Sequence, residues 1–141
     1  MSEAKNRYEA ERWLATALKD IEAAQVLRRE GIYSLACFHA QQAAEKAVKA
    51  LWHLSDAEPW GHSVQKLIGD LREVDQGLWE RMGEFADKAA YLDKMYIPTR
   101  YPNSIPDLTP DQVYKDWEAE LAVTYARSIL EEVKAILGSK V

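Results

Sequence analysis

Cysteine is nearly absent from this 141-residue chain: Cys37 is the only one, so an internal disulfide and a cysteine-built metal cluster are both excluded. Histidine is scarce as well. The three are His39, His53 and His62, and the first two lie fourteen residues apart on one expected helix, about 21 Å at 1.5 Å per residue, so they cannot share an ion. No Glu-x-x-His pairing of the di-iron kind accompanies Glu45 or Glu118. The six glycines are scattered, which excludes a Gly-rich phosphate loop. No stretch approaches the roughly 20 apolar residues of a membrane span, and the N-terminal MSEAKNRYEAERW lacks the apolar core of a leader. A cytoplasmic location without a membrane partner is therefore expected. Net charge is −5, which argues against a surface that grips nucleic acid throughout but leaves room for a local basic patch.

What is present is helical periodicity. From Glu3 to Glu30 the residues Ala10, Leu14, Ala17, Ile21, Ala24 and Leu27 recur at alternating spacings of four and three, without Pro or Gly until Gly31. Gly31 suits the left-handed position that ends a helix. A link this short makes the next helix, Ser34 to Leu54, the antiparallel partner of the first. On that second helix Cys37, Ala40, Ala44, Ala47, Leu51 and Leu54 form a seam of mostly small residues that lets neighbouring backbones approach closely, and Cys37 reads there as a small apolar residue. His39, Gln42, Lys46, Lys49 and His53 form the opposite stripe. Phe38, Gln41, Glu45, Val48 and Trp52 lie on the border between them.

After a loop over 55–61, Ser63 is placed to cap a short amphipathic helix carrying Val64, Leu67, Ile68, Leu71 and Val74. Leu78, Met82, Phe85, Ala89 and Leu92 then carry one more helix to about Asp93. The interval Asp93 to Leu108 holds three of the five prolines and no helical period, so it reads as a long irregular loop of the kind that carries function. Thr109-Pro110-Asp111-Gln112 signals the start of a last helix running to about Leu137, with Gly138 as its stop. One domain over 1–141 is expected. Its class is all-α, an up-and-down bundle of four principal helices plus a shorter one.

Two readings of the border stripe stay open on residue chemistry. Gln41 and Glu45 need hydrogen-bond partners wherever they are buried, and these are supplied either by a structural network or by a ligand. The same holds for the loop. Arg100 with Tyr96 and Tyr101, together with Gln41, Glu45 and Lys49, has the residue types of a nucleotide pocket: a guanidinium fork for phosphate, rings for a base, an amide for a base edge. Alternatively Arg100 neutralises Glu45 and closes the loop over the bundle.

The run FHAQQAAEKAVKAL at 38–51, preceded by Gly31-Ile32-Tyr33 and followed by His62-Ser63-Val64 and Thr99-Arg100-Tyr101-Pro102, resembles the prokaryotic HEPN domain family over nearly the whole chain. The resemblance implies a helical bundle with a nucleotide-binding role. Many members are metal-independent ribonucleases whose signature is an Arg separated from a His by four to six residues. Here those positions hold Ile105, Pro106 and Asp107, and no His follows His62. A binding partner, with no cofactor, is therefore expected rather than a catalyst. The Arg-Tyr-Pro form is similar to small proteins that accompany a minimal nucleotidyltransferase in toxin–antitoxin-like pairs, and the resemblance implies a nucleotide or RNA ligand on that account. The alternatives are a ribonuclease toxin with atypical catalytic residues and a purely structural interaction module. A homodimer is also expected, since Tyr8, Trp13, Trp117 and Tyr125 lie near the margins of the apolar faces of the terminal helices.

Overall fold

Three long helices carry the core of the computed structural model, which describes residues 2–139: α1 (Glu3–Arg29), α2 (Tyr33–Leu54) and α7 (Asp116–Ser139). Between α2 and α7 the chain forms α3 (Val64–Asp70), α4 (Gln76–Met82), α5 (Ala86–Asp93) and the single turn α6 (Pro110–Val113). The described residues are helical and irregular only, so the all-α bundle expected from the periodicity is what the chain adopts. α1 and α2 pack as an antiparallel hairpin, α7 lies against both, and α3 and α5 complete the side of α2 left uncovered.

The small seam explains why α2 is central. Cys37, Ala40, Ala44, Ala47 and Leu51 are all fully buried, as are Ala36, Ala43, Val48 and Ala50, so α2 is enclosed on several sides at once. Only a helix built largely of alanine tolerates neighbours this close around most of its girth. Burial pushes the Cys37 thiol up to about 12, which keeps it neutral in the core. Asp20 of α1 joins the hairpin from the polar side, accepting from Lys46 Nζ at 2.6 Å and lying 3.3 Å from His39 Nδ1. Burial alone would raise its pKa, but the hydrogen bonds to His39 and Lys46 outweigh that and lower it. Its stabilising contribution is therefore present at neutral pH and is lost as pH falls through the acid range.

Local signals act where they stand in the sequence. Gly31 takes φ +77° just past the end of α1, and Ser63 Oγ accepts from Lys66 N–H to cap α3. The Thr109–Gln112 capping box forms. Beyond that box the last helix, expected to be continuous, is interrupted. Tyr114 is extended (φ −79°, ψ 138°), and α7 restarts at Asp116, with Glu118 Oε1 accepting from Lys115 N–H at 2.9 Å. The kink lets Tyr114 pack on the core, and Glu118 supplies the second start with its own acceptor. Likewise the helix expected through Leu92 is broken by a 3-10 turn at Gly83–Phe85, where Phe85 is buried. Gly138 does not stop α7. The helix passes through it to Ser139, and Arg7 Nη2 of α1 donates to the Leu137 carbonyl at 2.8 Å, supplying from outside the partner a C-cap would have given.

Candidate functional site

Glu45 sits at the middle of α2 with only 4% of its side chain exposed, and its carboxylate accepts from four side chains. Gln41 Nε2 and Gln42 Nε2 each approach Oε1 at 3.2 Å, while Lys49 Nζ at 3.0 Å and His62 Nδ1 at 3.3 Å approach Oε2. Three of these donors come from α2 itself, at spacings of three and four residues. Gln41, 0% exposed, also donates from Nε2 to the His62 carbonyl at 2.9 Å and accepts at Oε1 from Gln42 at 2.8 Å. The polar border therefore satisfies itself and, in doing so, pins the loop that carries His62.

A second anchor holds the same loop. Asp93, at the end of α5, accepts from Ser63 Oγ at 2.7 Å and from the backbone N–H groups of Val64 at 2.6 Å and Gln65 at 3.1 Å. These are orphan donors at the start of α3, and a carboxylate there also meets the positive end of the helix dipole. Because the long loop begins at the residue after Asp93, this tie sets its root beside His62. The His62 ring consequently stacks on Tyr96, with centroids 4.8 Å apart and planes 17° off parallel.

Arg100 lies where three rings meet. Its guanidinium carbon is 4.3 Å from the centroid of Phe38, 4.7 Å from that of Tyr96 and 5.1 Å from that of Tyr101. Nε donates to the Tyr96 carbonyl at 2.9 Å. Cation–π attraction fixes the plane of the group, while its remaining N–H donors have no acceptor among the described residues. The alternative in which Arg100 neutralises Glu45 does not hold: Lys49 and His62 already occupy that carboxylate, and Arg100 is held further back along α2, over Phe38.

The six candidate residues divide into two groups. Gln41, Glu45 and Lys49 form an enclosed network; Tyr96, Arg100 and Tyr101 form an accessible wall; His62 touches both. Three contributors were not singled out from sequence. Phe38 shares the border stripe with Gln41, which was a usable signal. His62 stands in the quoted His62-Ser63-Val64 motif, but neither its contacts nor those of Asp93 are legible there, because they depend on the docking of α3 against α5. Tyr96 and Arg100 are half-buried and Tyr101 is exposed. Clefts of about 630 Å³ (Arg7, Leu54, Val74) and about 780 Å³ (Arg28, Tyr33, Arg127) occur on the molecule, and neither includes Arg100. Among the described residues no group of three or more His, Cys, Asp or Glu stands together as a metal-binding set, and no helix is long and apolar enough to cross a membrane.

The sequence model of a family described as the HEPN domain matches residues 10–136. The chain belongs to the HEPN domain family. Its fold is shared by TT1696 from Thermus thermophilus, whose crystal structure superimposes with a TM-score of 0.80 at 38% identity, covering 90% of this chain and 97% of that one. The crystal structure of ST0689, described as an archaeal HEPN homologue, gives a TM-score of 0.75 at 33% identity over 92% of this chain and 98% of its own. A HEPN domain protein of Thermotoga maritima gives 0.69 at 34% identity, covering 90% of this chain and 98% of that chain. Among curated proteins, "Putative toxin MJ1304" of Methanocaldococcus jannaschii is 27% identical over 136 residues, 93% of this chain and 90% of that protein. Within this HEPN domain the residues after Arg100 leave its guanidinium without a nearby histidine in sequence, whereas the fold brings His62 to the same cluster of rings.

Proposed function

We propose that this HEPN domain binds the phosphate of a nucleotide or RNA through Arg100 and acts as one member of a toxin–antitoxin-like pair with a minimal nucleotidyltransferase. The observation that carries the reading is the Arg100 guanidinium, oriented by Phe38, Tyr96 and Tyr101 and with donors to spare. A preoriented planar fork presented at a surface matches phosphate oxygens in geometry and charge. The naming of the Methanocaldococcus relative as a toxin supports the pair, and the Arg100-Tyr101-Pro102 form supports the enzyme partner. Glu45, Gln41 and Lys49, being enclosed, act by holding His62 and the loop in register. Isothermal titration of the protein with ATP, GTP and a short RNA tests the reading, and absence of heat with all three refutes it.

A second reading is favoured by one feature. His62 exposes 58% of its side chain, directs Nδ1 at the Glu45 carboxylate and stacks on the ring that also faces Arg100. An ionised carboxylate only accepts, so the Nδ1 proton is held there and Nε2 of a neutral ring is left as a base. That is the arrangement of a general base beside a phosphate anchor. The binding reading nevertheless predicts that single-stranded and structured RNA stay intact over hours in the presence of a chelator. Cleavage that is lost in both His62→Ala and Arg100→Ala would establish the ribonuclease instead.

The chain is further proposed to pair with itself. Two of the four marginal aromatics are used internally: Trp13 stacks on His53 at 5.1 Å, and Tyr125 meets Tyr91 edge-on at 5.5 Å. Tyr8 and Trp117 remain exposed and are the rings available to an interface. Light scattering at micromolar concentration is expected to return twice the monomer mass of 16.1 kDa. A monomer mass removes the proposal.

A further inference from the structure

Trp60 is the most exposed large apolar side chain described in this protein, at 83%, and it has no ring or cation contact among the described residues. The loop that presents it is nonetheless firmly held. Gly61 takes φ +86°, the His62 carbonyl is gripped by the buried Gln41, and Ser63 and the start of α3 are tied to Asp93. Trp60 is two residues from His62, at most about 7 Å of chain, and His62 stacks on Tyr96, which in turn faces Arg100. An exposed indole therefore adjoins, along the chain, the residue whose ring links Tyr96 and the Arg100 guanidinium. Other tryptophans do not share this relation: Trp13, Trp52 and Trp79 pack against the core, and Trp117 lies at the start of α7.

We propose that Trp60 is a base-stacking subsite and that the ligand is a single-stranded oligonucleotide of two or more nucleotides, with a phosphate at Arg100 and a base on the indole. The inference rests on the phosphate-binding reading above and deepens it. One observation gives the track its polarity. The exposed carboxylate of Glu58 precedes Trp60, which disfavours a phosphate at that end, while a neutral base needs only the ring face. The absence of Arg100 from the larger clefts also suits a strand laid across a surface better than a mononucleotide enclosed in a cavity.

The test compares AMP with 2′-O-methyl triadenylate, which cannot undergo cleavage through its 2′-oxygen, by titration against wild type, Trp60→Ala and Trp117→Ala. Wild type is expected to bind the trinucleotide more tightly than AMP. Trp60→Ala should weaken the trinucleotide by about 5- to 100-fold, the range for one lost stacked base, and leave AMP and the melting temperature unchanged; Trp117→Ala should leave both affinities unchanged. Equal affinity of wild type for both ligands, or a trinucleotide affinity indifferent to Trp60→Ala, overturns the subsite while AMP binding keeps the Arg100 reading alive. Unchanged trinucleotide affinity together with a fall from dimer to monomer mass in Trp60→Ala overturns it too, assigning the indole to a protein contact. No binding of either ligand by wild type removes the phosphate reading and the subsite together.

Discussion

Glu45→Ala lowers the melting temperature by roughly 10 °C or more, the largest stability loss expected of any substitution in the site. Removing one partner of a buried ion pair is destabilising by about 3–5 kcal/mol, because the surviving charge is left in a medium that solvates it poorly. Here the survivor is Lys49, whose side chain is 12% exposed, and the change also strips an acceptor from Gln41, Gln42 and His62. A domain of this size converts 1 kcal/mol into a few degrees. Glu45→Gln retains an acceptor and should fall between wild type and alanine. Adding Lys49→Met to Glu45→Ala should recover much of the loss, since a well-packed apolar replacement of a buried pair is often neutral. Circular-dichroism melts decide the matter: a loss of only one or two degrees in Glu45→Ala would mean that the network contributes little to the fold.

Arg100→Ala has the opposite profile, a large loss of ligand affinity with a small loss of stability. A charge-assisted, bidentate contact to phosphate contributes about 1.5–3 kcal/mol, so affinity for ATP or short RNA should fall by about 10- to 100-fold. Stability should fall by only about 1–2 kcal/mol, from cation–π contacts at a half-buried position and one hydrogen bond to the Tyr96 carbonyl. Arg100→Lys should not rescue binding fully, because an ammonium neither lies flat between rings nor offers a two-pronged donor. Thermal melts beside isothermal titration separate the outcomes. An unaltered affinity combined with a melting loss as large as that of Glu45→Ala would leave Arg100 a purely structural residue.

Both profiles depend on a correction that no reading of the sequence could make. Arg100 and Glu45 are opposite charges on segments expected to meet, and the sequence leaves their pairing open beside a ligand-binding role. What decides against it is geometry internal to α2: Gln41, Gln42 and Lys49 stand three or four residues from Glu45 and reach it along the same helix, so the carboxylate is nearly saturated before the long loop arrives. His62 completes the set from a loop seventeen residues away.

Sequence alone determined the class of the fold and the choice of central helix. The alternation of threes and fours in α1 and α2 fixes which faces must be buried, and an alanine seam permits only close helical neighbours. It also determined the local punctuation at Gly31, Ser63 and Thr109, because a left-handed turn or a capped first turn depends on residues within a few positions of one another. Tertiary structure alone decided the rest. Tyr114 leaves the helical path because a core position becomes available to its ring, although the capping box before it is intact. His62 reaches Tyr96 because Asp93 bridges α5 to α3, and Arg100 finds three rings because the loop rooted there passes over Phe38. Those relations join segments about thirty to sixty residues apart, where periodicity carries no information and only the packing of one helix against another sets the distance.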